Sequence, residues 1–231
     1  MLNRPVELAG RLADVRGLIG QAARAAGRDP EAITLVAVSK TFPASDVAIL
    51  AGLGVQDFAE NRHQEAAAKA AQLPGLRWHF VGRLQRNKAR QVAAYADLVH
   101  SVDRQELLAP LDRGAADRGT ALPVLIQVSL AEGAGRGGMP PADLRSLAAA
   151  VTNCEHLLLA GVMGIAPPGL ARARGAFALL RDVHRQLLAE HPLATVVSAG
   201  MSGDLPEAIE QGATLVRVGG ALFGARPPIS D

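Results

Sequence analysis

The chain has 231 residues, of which 49% are hydrophobic and 3% aromatic, and its formal net charge is +2. This length fits one large domain and is common among α/β barrels. With so few aromatic residues, the core must be built from Ala, Val, Leu and Ile. The calculated pI is 9.1, but charges of both signs are interspersed without a basic block. The charge pattern typical of nucleic-acid-binding proteins is therefore excluded.

The cysteine content and the first residues of the chain bear on its compartment. Cys154 is the only cysteine, which excludes an internal disulfide and fits a reducing environment. The N-terminal residues contain no long apolar segment, so we expect neither a signal peptide nor a membrane span. We therefore expect a cytoplasmic, monomeric protein that binds neither nucleic acid nor a membrane.

Helix and strand patterns alternate along the chain. It opens with an amphipathic helix over residues 5–27, in which apolar residues recur at spacings of three and four. Short apolar runs then predict strands at residues 34–40, 55–59, 78–82, 98–102, 123–128, 157–163, 195–198 and 214–218. Helical patterns follow the first four strands at residues 43–53, 62–72, 85–95 and 105–118. After the last four strands, helices are predicted from residue 140 onward, at residues 169–190, in a segment that ends at residue 211, and as a short turn after residue 220.

This order of elements predicts the fold class. Strand–helix units in sequence with short connections close naturally into a (β/α)8 TIM barrel. We expect one barrel domain over residues 1–231, with an extra N-terminal helix. A doubly wound open sheet is the alternative, because βα alternation alone does not distinguish the two. The count of eight strands and the absence of a GxGxxG motif after the first strand favour the barrel.

Lys40 ends the first predicted strand, and it is the first candidate for chemistry. Of the 24 basic residues only Lys40, Lys69 and Lys88 are lysines, so arginine serves where a cation alone is needed. A lysine in apolar surroundings at the mouth of a barrel has a lowered pKa and can form a Schiff base. The alternative is a lysine whose stem is buried and whose amine reaches solvent.

Further candidates lie at the carboxyl ends of strands, where barrels gather their functional groups. They are Asn61, His79, Ser198, Met201, Ser202, Arg217, Gly219 and Gly220. The glycines after strands seven and eight let backbone amides approach an anion, and Ser202 adds a hydroxyl donor. A lysine at one rim and a phosphate cradle at the other predict a site for a phosphorylated aldehyde, and pyridoxal phosphate is the obvious candidate.

Arg217 and His79 lie within predicted strands. If Arg217 points into the barrel mouth, it can donate to the pyridine nitrogen of the cofactor; pairing with a nearby Asp or Glu is the alternative. Arginine keeps its proton, so the ring nitrogen would stay unprotonated and the ring would be a weak electron sink. We expect His79 to contact the ring; the alternative is that it packs beside Trp78. The remaining histidines show no spacing typical of a metal site.

Six segments, in order, carry a resemblance that runs from end to end of the chain. They cover residues 36–41, 58–65, 78–88, 161–165, 200–204 and 216–224. The chain resembles the pyridoxal phosphate homeostasis proteins, whose fold is like the barrel domain of alanine racemase. The resemblance implies that Lys40 holds the cofactor as a Schiff base, that Ser202 and Gly219–Gly220 bind its phosphate, and that Arg217 faces its pyridine nitrogen.

Two positions depart from the family pattern. Ala59 stands where the family usually has glycine, and Gly220 where threonine is common. At Gly220 the backbone amide is left to bind the phosphate without a hydroxyl.

The resemblance implies a carrier or buffer of the cofactor that supplies pyridoxal-phosphate-dependent apoenzymes, not an efficient enzyme. An alanine-racemase-type reaction needs a second acid/base, which a tyrosine of an additional domain supplies in that enzyme. The single tyrosine here, Tyr95, falls late in a predicted helix. The alternatives are a weak amino-acid racemase that uses the same cofactor and a barrel aldolase acting on a sugar phosphate.

One basic cluster remains outside this account. Arg83, Arg86, Lys88 and Arg90 lie on or just before the third predicted helix after the first strand. We interpret the cluster as a solvated helix face, with an anionic partner as the alternative.

Overall fold

A closed barrel of eight parallel strands in chain order forms the centre of the molecule. The computed structural model describes residues 3–130 and 137–225. The strands are β1 Thr34–Val38, β2 Asp57–Glu60, β3 Arg77–Phe80, β4 Leu98–Val102, β5 Leu122–Val128, β6 Leu157–Gly164, β7 Val196–Ser198 and β8 Leu215–Val218. The α-helices are α1 Arg4–Ala25, α2 Ala44–Gly52, α3 His63–Gln72, α4 Arg86–Ala93, α5 Leu108–Arg118, α6 Leu144–Thr152, α7 Leu170–Glu190, α8 Leu205–Glu210 and α9 Gly220–Phe223.

Pairing of β1 with both β2 and β8 closes the barrel and rules out the open sheet. Val36 lies opposite Asp57 on one side and opposite Arg217 on the other. The segments that follow β1 and β8 therefore lie side by side at the same mouth. The sequence predicted the lysine at one rim and the phosphate-binding loops at the other. This prediction of their separation is wrong, because the last strand of a barrel neighbours the first.

Apolar residues form two layers, as the alternation of side chains along a strand requires. The larger layer lies between the barrel and the helices and includes Ala37, Phe58 and Val99. A smaller cluster joins buried residues of six strands, Val36, Ala59, Leu98, Leu125, Met163 and Leu215. Side chains two residues further along their strands share the inward face with this smaller cluster.

The inward face is polar above that small cluster. Barrel interiors are usually filled by branched aliphatic side chains, but here His79, His100, Ser198 and Arg217 are all buried. Residues of this kind are rarely buried without partners. Their hydrogen bonds therefore decide how the interior is arranged.

The N-terminal helix packs on the outside of the barrel. Its apolar stripe is buried, with Leu8, Leu12 and Val15 as members, and the helix contacts α2, α8 and α9. Arg4 reinforces the contact by donating to Asp46 of α2 and to the carbonyl of Phe223. None of the described helices is both long and apolar enough to cross a membrane.

Candidate functional site

Lys40 lies in the turn after β1, two residues beyond the end of the strand, and is half-buried. The predicted strand extended to Lys40 itself. The backbone leaves the strand because Thr41 adopts a left-handed conformation, with φ of 71°, which is uncommon for a residue with a branched side chain. The amide of Thr41 donates to Glu65 at 3.3 Å, so α3 holds the turn from outside.

Four hydrogen bonds hold Ser39, the residue before Lys40, and one of them runs from the amide of Phe42 to the Ser39 carbonyl at 3.0 Å. Its amide donates to the carbonyl of Ala59 at 3.0 Å, and its hydroxyl donates to Glu60 Oε1 at 2.7 Å. Its carbonyl accepts from Lys69 Nζ at 2.8 Å. The backbone and the side chain of Ser39 are thus both held by hydrogen bonds. The position of the Lys40 backbone is therefore set by Ser39 and not by the flexible side chain of Lys40.

The buried ion pair of Lys69 with Glu60 supports this arrangement. Lys69 also contacts Glu60 Oε1 directly, so one carboxylate oxygen joins β2, α3 and the turn after β1. Burial raises the pKa of Glu60, against the opposing attraction of Lys69. The sequence analysis assigned no role to Lys69. The available signal was that lysine is rare in this chain and that Lys69 lies six residues into α3.

Arg217 is buried in β8 and forms no ion pair with any described residue. Its NH1 donates to Ser198 Oγ at 2.5 Å and its NH2 donates to the carbonyl of Gly164 at 3.0 Å. Burial lowers its pKa to about 10, so the guanidinium stays charged at neutral pH. The charge of Asp204 opposes this effect without forming an ion pair with Arg217. A buried charge without a direct ion pair is costly. Of the two interpretations of Arg217, pairing with an Asp or Glu finds no support within residues 3–130 and 137–225.

A continuous chain of hydrogen bonds runs from Arg217 across the barrel interior. His100 Nδ1 lies 2.9 Å from Ser198 Oγ, and His100 Nε2 lies 2.9 Å from His79 Nδ1. His79 Nε2 lies 3.0 Å from Asp57 Oδ1. Asp57 also accepts two hydrogen bonds from Arg77, at the amino-terminal end of the barrel.

The two ends of this chain determine the direction of every hydrogen bond in it. Burial disfavours the charged form of Asp57, but the hydrogen bonds from Arg77 and His79 outweigh burial and lower its pKa to about 2. The carboxylate therefore accepts from His79 Nε2–H, which leaves His79 Nδ1 to accept from His100 Nε2–H.

At the other end, His100 Nδ1 then accepts from the Ser198 hydroxyl, and Ser198 accepts from Arg217. Burial lowers the pKa of His100 well below its usual value, which keeps that ring neutral. In this arrangement, each of the side-chain atoms that link Arg217 to Asp57 has a hydrogen-bond partner.

His79 is thus engaged at both ring nitrogens within the barrel. Its ring centroid lies 5.1 Å from that of His100, and the sequence predicted neither contact. That His79 touches the cofactor stays a prediction. The structure confirms the interpretation of His100, within the predicted strand at residues 98–102, as a hydrogen-bonded core residue. It adds Asp57, since nothing in the spacing of Asp57 linked it to Arg217.

The loops after β7 and β8 approach each other, and β8 pairs with β1, the strand that Lys40 follows. Gly200 has φ of 87°, and an added Cβ would lie 2.7 Å from the Cβ of Ala208, so the turn requires glycine. The amide of Met201 donates to Asp204 Oδ1 at 2.6 Å. Ser202 Oγ lies 3.5 Å from the amide of Ala221, which joins the two loops.

Met201, Ser202 and Gly220 are exposed at this mouth. Gly219 follows directly on β8, and a Cβ added to it would lie 3.4 Å from the carbonyl of Val38, at the end of β1. The predicted phosphate residues and Lys40 are therefore brought together by neighbouring strands.

Asn61 follows β2 at the same end of the barrel and is half-buried. Gly82, which follows β3, packs directly on its backbone. A Cβ added to Gly82 would lie 2.1 Å from the carbonyl oxygen of Asn61, a distance that no side chain tolerates. Sequence reasoning placed Gly82 only as a strand end.

Within the described residues, no group of three or more His, Cys, Asp or Glu side chains is placed to hold a metal ion. The chemistry of this mouth is instead that of one amine, one buried guanidinium, and hydroxyl and backbone donors.

Known proteins share both the sequence and this fold. The family described as the N-terminal domain of alanine racemase matches residues 20–227. The pyridoxal phosphate homeostasis protein of Pseudomonas aeruginosa is 44% identical over 95% of this chain and 96% of its own. That of Mycobacterium leprae is 42% identical over 96% of this chain and 94% of its own.

A solved structure with a bound cofactor is also similar. PipY of Synechococcus elongatus, with pyridoxal phosphate bound, is 38% identical and superposes with a TM-score of 0.82. The match covers 94% of this chain and 100% of the PipY chain. The chain therefore belongs to the pyridoxal phosphate homeostasis proteins, within the family of the alanine racemase N-terminal domain.

Proposed function

We propose that this chain binds pyridoxal phosphate as a Schiff base on Lys40 and takes part in the homeostasis of that cofactor. The observation that supports this best is the buried, unpaired guanidinium of Arg217. Its charge is buried without an ion pair, and a ligand that presents an acceptor atom to it lowers the cost of that burial. The family membership and the cofactor in the PipY structure point to the same ligand.

The residues around the mouth fit this ligand. When bound, pyridoxal phosphate supplies an aldehyde that condenses reversibly with primary amines. Lys40 provides the amine, and Ser202 with the amides at Gly219 and Gly220 binds the phosphate. Asn61, His79, Ser198 and Met201 complete the predicted binding set.

Arg217 would donate to the pyridine nitrogen and hold it unprotonated. Its other donors are already directed to Ser198 and to the Gly164 carbonyl, so the guanidinium is pre-oriented by protein contacts. A ring with an unprotonated nitrogen is a weak electron sink. The protein would therefore hold the cofactor without strongly promoting carbanion chemistry.

A second acid/base is also missing from the described part of the mouth. The one tyrosine of the chain, Tyr95, stacks on His63 with ring centroids 5.8 Å apart, and burial raises its pKa. We propose that the protein is a carrier or buffer and not an efficient racemase. Transfer to pyridoxal-phosphate-dependent apoenzymes, a monomeric state and a cytoplasmic location belong to the same proposal.

The test is a titration of the purified protein with pyridoxal phosphate, followed by visible absorbance and by the equilibrium affinity. We expect one cofactor per chain and a chromophore that Lys40→Ala does not form. Incubation with L-alanine tests the racemase alternative in the same preparation. Rapid conversion to the D-enantiomer would overturn the carrier proposal, and a protein that takes up no cofactor would overturn cofactor binding itself.

A further inference from the structure

A cavity of about 630 Å³ lies beside the barrel mouth, among the segments that follow β2, β3 and β4. Its lining carries five basic side chains, Arg62, Arg83, Arg86, Lys88 and Arg104. None of the described residues that line it is acidic. Like charges that converge on one concave surface repel each other, and an anion relieves this repulsion.

The ion pairs around the cavity leave much of this charge uncompensated. Arg62 reaches Glu65 at 3.4 Å, and Arg104 reaches Asp103 at 2.5 Å. Arg83, Arg86 and Lys88 form no ion pair with any residue in the described ranges. By contrast, Arg90 on the same helix but outside the cavity pairs with Asp117 at 2.7 Å. On α4 and in the segment just before it, the cations without an ion pair are therefore those that face the cavity.

Two helices begin at this cavity. The N-caps of α3 and α4 are Arg62 and Gln85, and neither makes a side-chain capping hydrogen bond. The first amides of a helix lack intrahelical acceptors, and the helix dipole adds positive potential there. Converging helix N-termini and arginines are the groups that proteins use to bind phosphate.

His63 adds a polar group that lacks a partner. It lines the cavity, and its Nδ1 is buried without a hydrogen-bond partner among the described residues. Stacking against Tyr95 holds the ring in place. Burial and the nearby charge of Lys88 lower its pKa, so the ring is neutral at pH 7.

We propose that this cavity is a second anion site, which binds a small organic phosphate. Its volume lies within the range of small-molecule sites, roughly 300–1,000 Å³. Phe80 and Leu84 form buried apolar parts of the wall, which fit an organic group attached to the phosphate. The cavity shares Asn61 with the proposed cofactor-binding set. Its basic groups include neither Lys40 nor any residue of the loops after β7 and β8, so the proposal does not rest on the proposed function.

Calorimetric titration at low salt tests the site, with inorganic pyrophosphate and adenosine 5′-monophosphate as probes. We expect both to bind once per chain outside the cofactor mouth, and adenosine not to bind. Arg83→Gln with Arg86→Gln should weaken both probes by about tenfold or more, the effect of losing charged hydrogen bonds. Both arginines are exposed, so this variant should fold, and its melting temperature confirms it.

Matched variants separate this site from the cofactor mouth. Arg90→Gln removes the same charge from the same helix and should leave both affinities unchanged. Lys40→Ala and Ser202→Ala should also leave them unchanged, whereas these two would weaken a probe bound at the mouth.

Three outcomes would overturn the proposal. They are no binding of either probe, equal affinity in the double variant and the wild type, and binding of a short single-stranded oligonucleotide without binding of the mononucleotide.

Discussion

The hydroxyl of Ser198 accepts a hydrogen bond from Arg217 at 2.5 Å and lies 2.9 Å from His100 Nδ1. It therefore connects the buried guanidinium of Arg217 to the imidazoles of His100 and His79, which lead to the Asp57 carboxylate. Since the hydroxyl must donate to His100, its lone pairs face Arg217. The orientation of the guanidinium is thus set by residues from β7, β4, β3 and β2.

Removing this hydroxyl should weaken cofactor binding. In Ser198→Ala, Arg217 and His100 each lose a partner, and the guanidinium is no longer oriented. We expect the affinity for pyridoxal phosphate to fall by about 10-fold, the scale of one hydrogen bond to a charged group. Ser101→Ala is the matched control, because the Ser101 hydroxyl is buried without a partner in the described structure. Equal affinities in the two variants would contradict the account.

The ion pair of Lys69 with Glu60 should be more important to stability than its surface counterparts. Lys69→Met leaves a buried carboxylate uncompensated and should lower the free energy of unfolding by about 3–5 kcal/mol. Lys69→Met combined with Glu60→Gln should recover much of this loss, because no buried charge then remains. The exposed pair of Arg90 with Asp117 should contribute only about 0–1 kcal/mol. Urea unfolding of the wild type, Lys69→Met, Glu60→Gln and the double variant measures these differences, and additive losses at Lys69 and Glu60 would argue against the coupling.

Asp57 should give the protein a specific acid sensitivity. Its folded pKa, about 2, lies below the usual value of 3.8, so the unfolded chain binds the proton more readily. The resulting stability is fully present above about pH 4 and is lost as the pH falls toward 2, with a magnitude of about 2 kcal/mol. The difference in unfolding free energy between wild type and Asp57→Asn should therefore shrink between pH 5 and pH 2. A constant difference would show that Asp57 is not held ionised.

Glycine at position 82 should be required for the position of Asn61. In Gly82→Ala the new methyl group would meet the Asn61 carbonyl at 2.1 Å, so the backbone after β2 must move. We expect a loss of several degrees in melting temperature together with weaker cofactor binding. Gly10→Ala in α1 is the control, because a Cβ there meets no atom within 4 Å. It should be neutral or slightly stabilising.

The barrel was predictable because each strand has a recognisable local sequence pattern. Runs such as residues 157–163 carry no polar side chain, and the structure confirms β6 at Leu157–Gly164. The end of β1 was predicted two residues late, since the sequence does not show that Ser39 is tied to Glu60 and Lys69. That tie joins residues far apart in the chain, and no local pattern encodes it.

The sequence and the resemblance name the candidate site residues one by one, but they do not show how these residues are connected. Lys40, Ser202 and Arg217 follow from the resemblance, and the structure places them at one mouth. The hydrogen-bond chain through His79 and His100 depends on the register of neighbouring strands, where His79 lies opposite Ala59 and Leu98. Register is a property of the closed barrel, so no single strand reveals it.

The central claim is that Lys40 holds the cofactor, and mass spectrometry of the borohydride-treated protein tests it most directly. The chain has only three lysines, so peptide mapping assigns the adduct without ambiguity. We predict a reduced pyridoxyl adduct on the peptide that contains Lys40, which Lys40→Ala abolishes and Lys88→Ala retains. An adduct on Lys69 or Lys88 in the wild-type protein, or none at all after saturation with pyridoxal phosphate, would contradict the account.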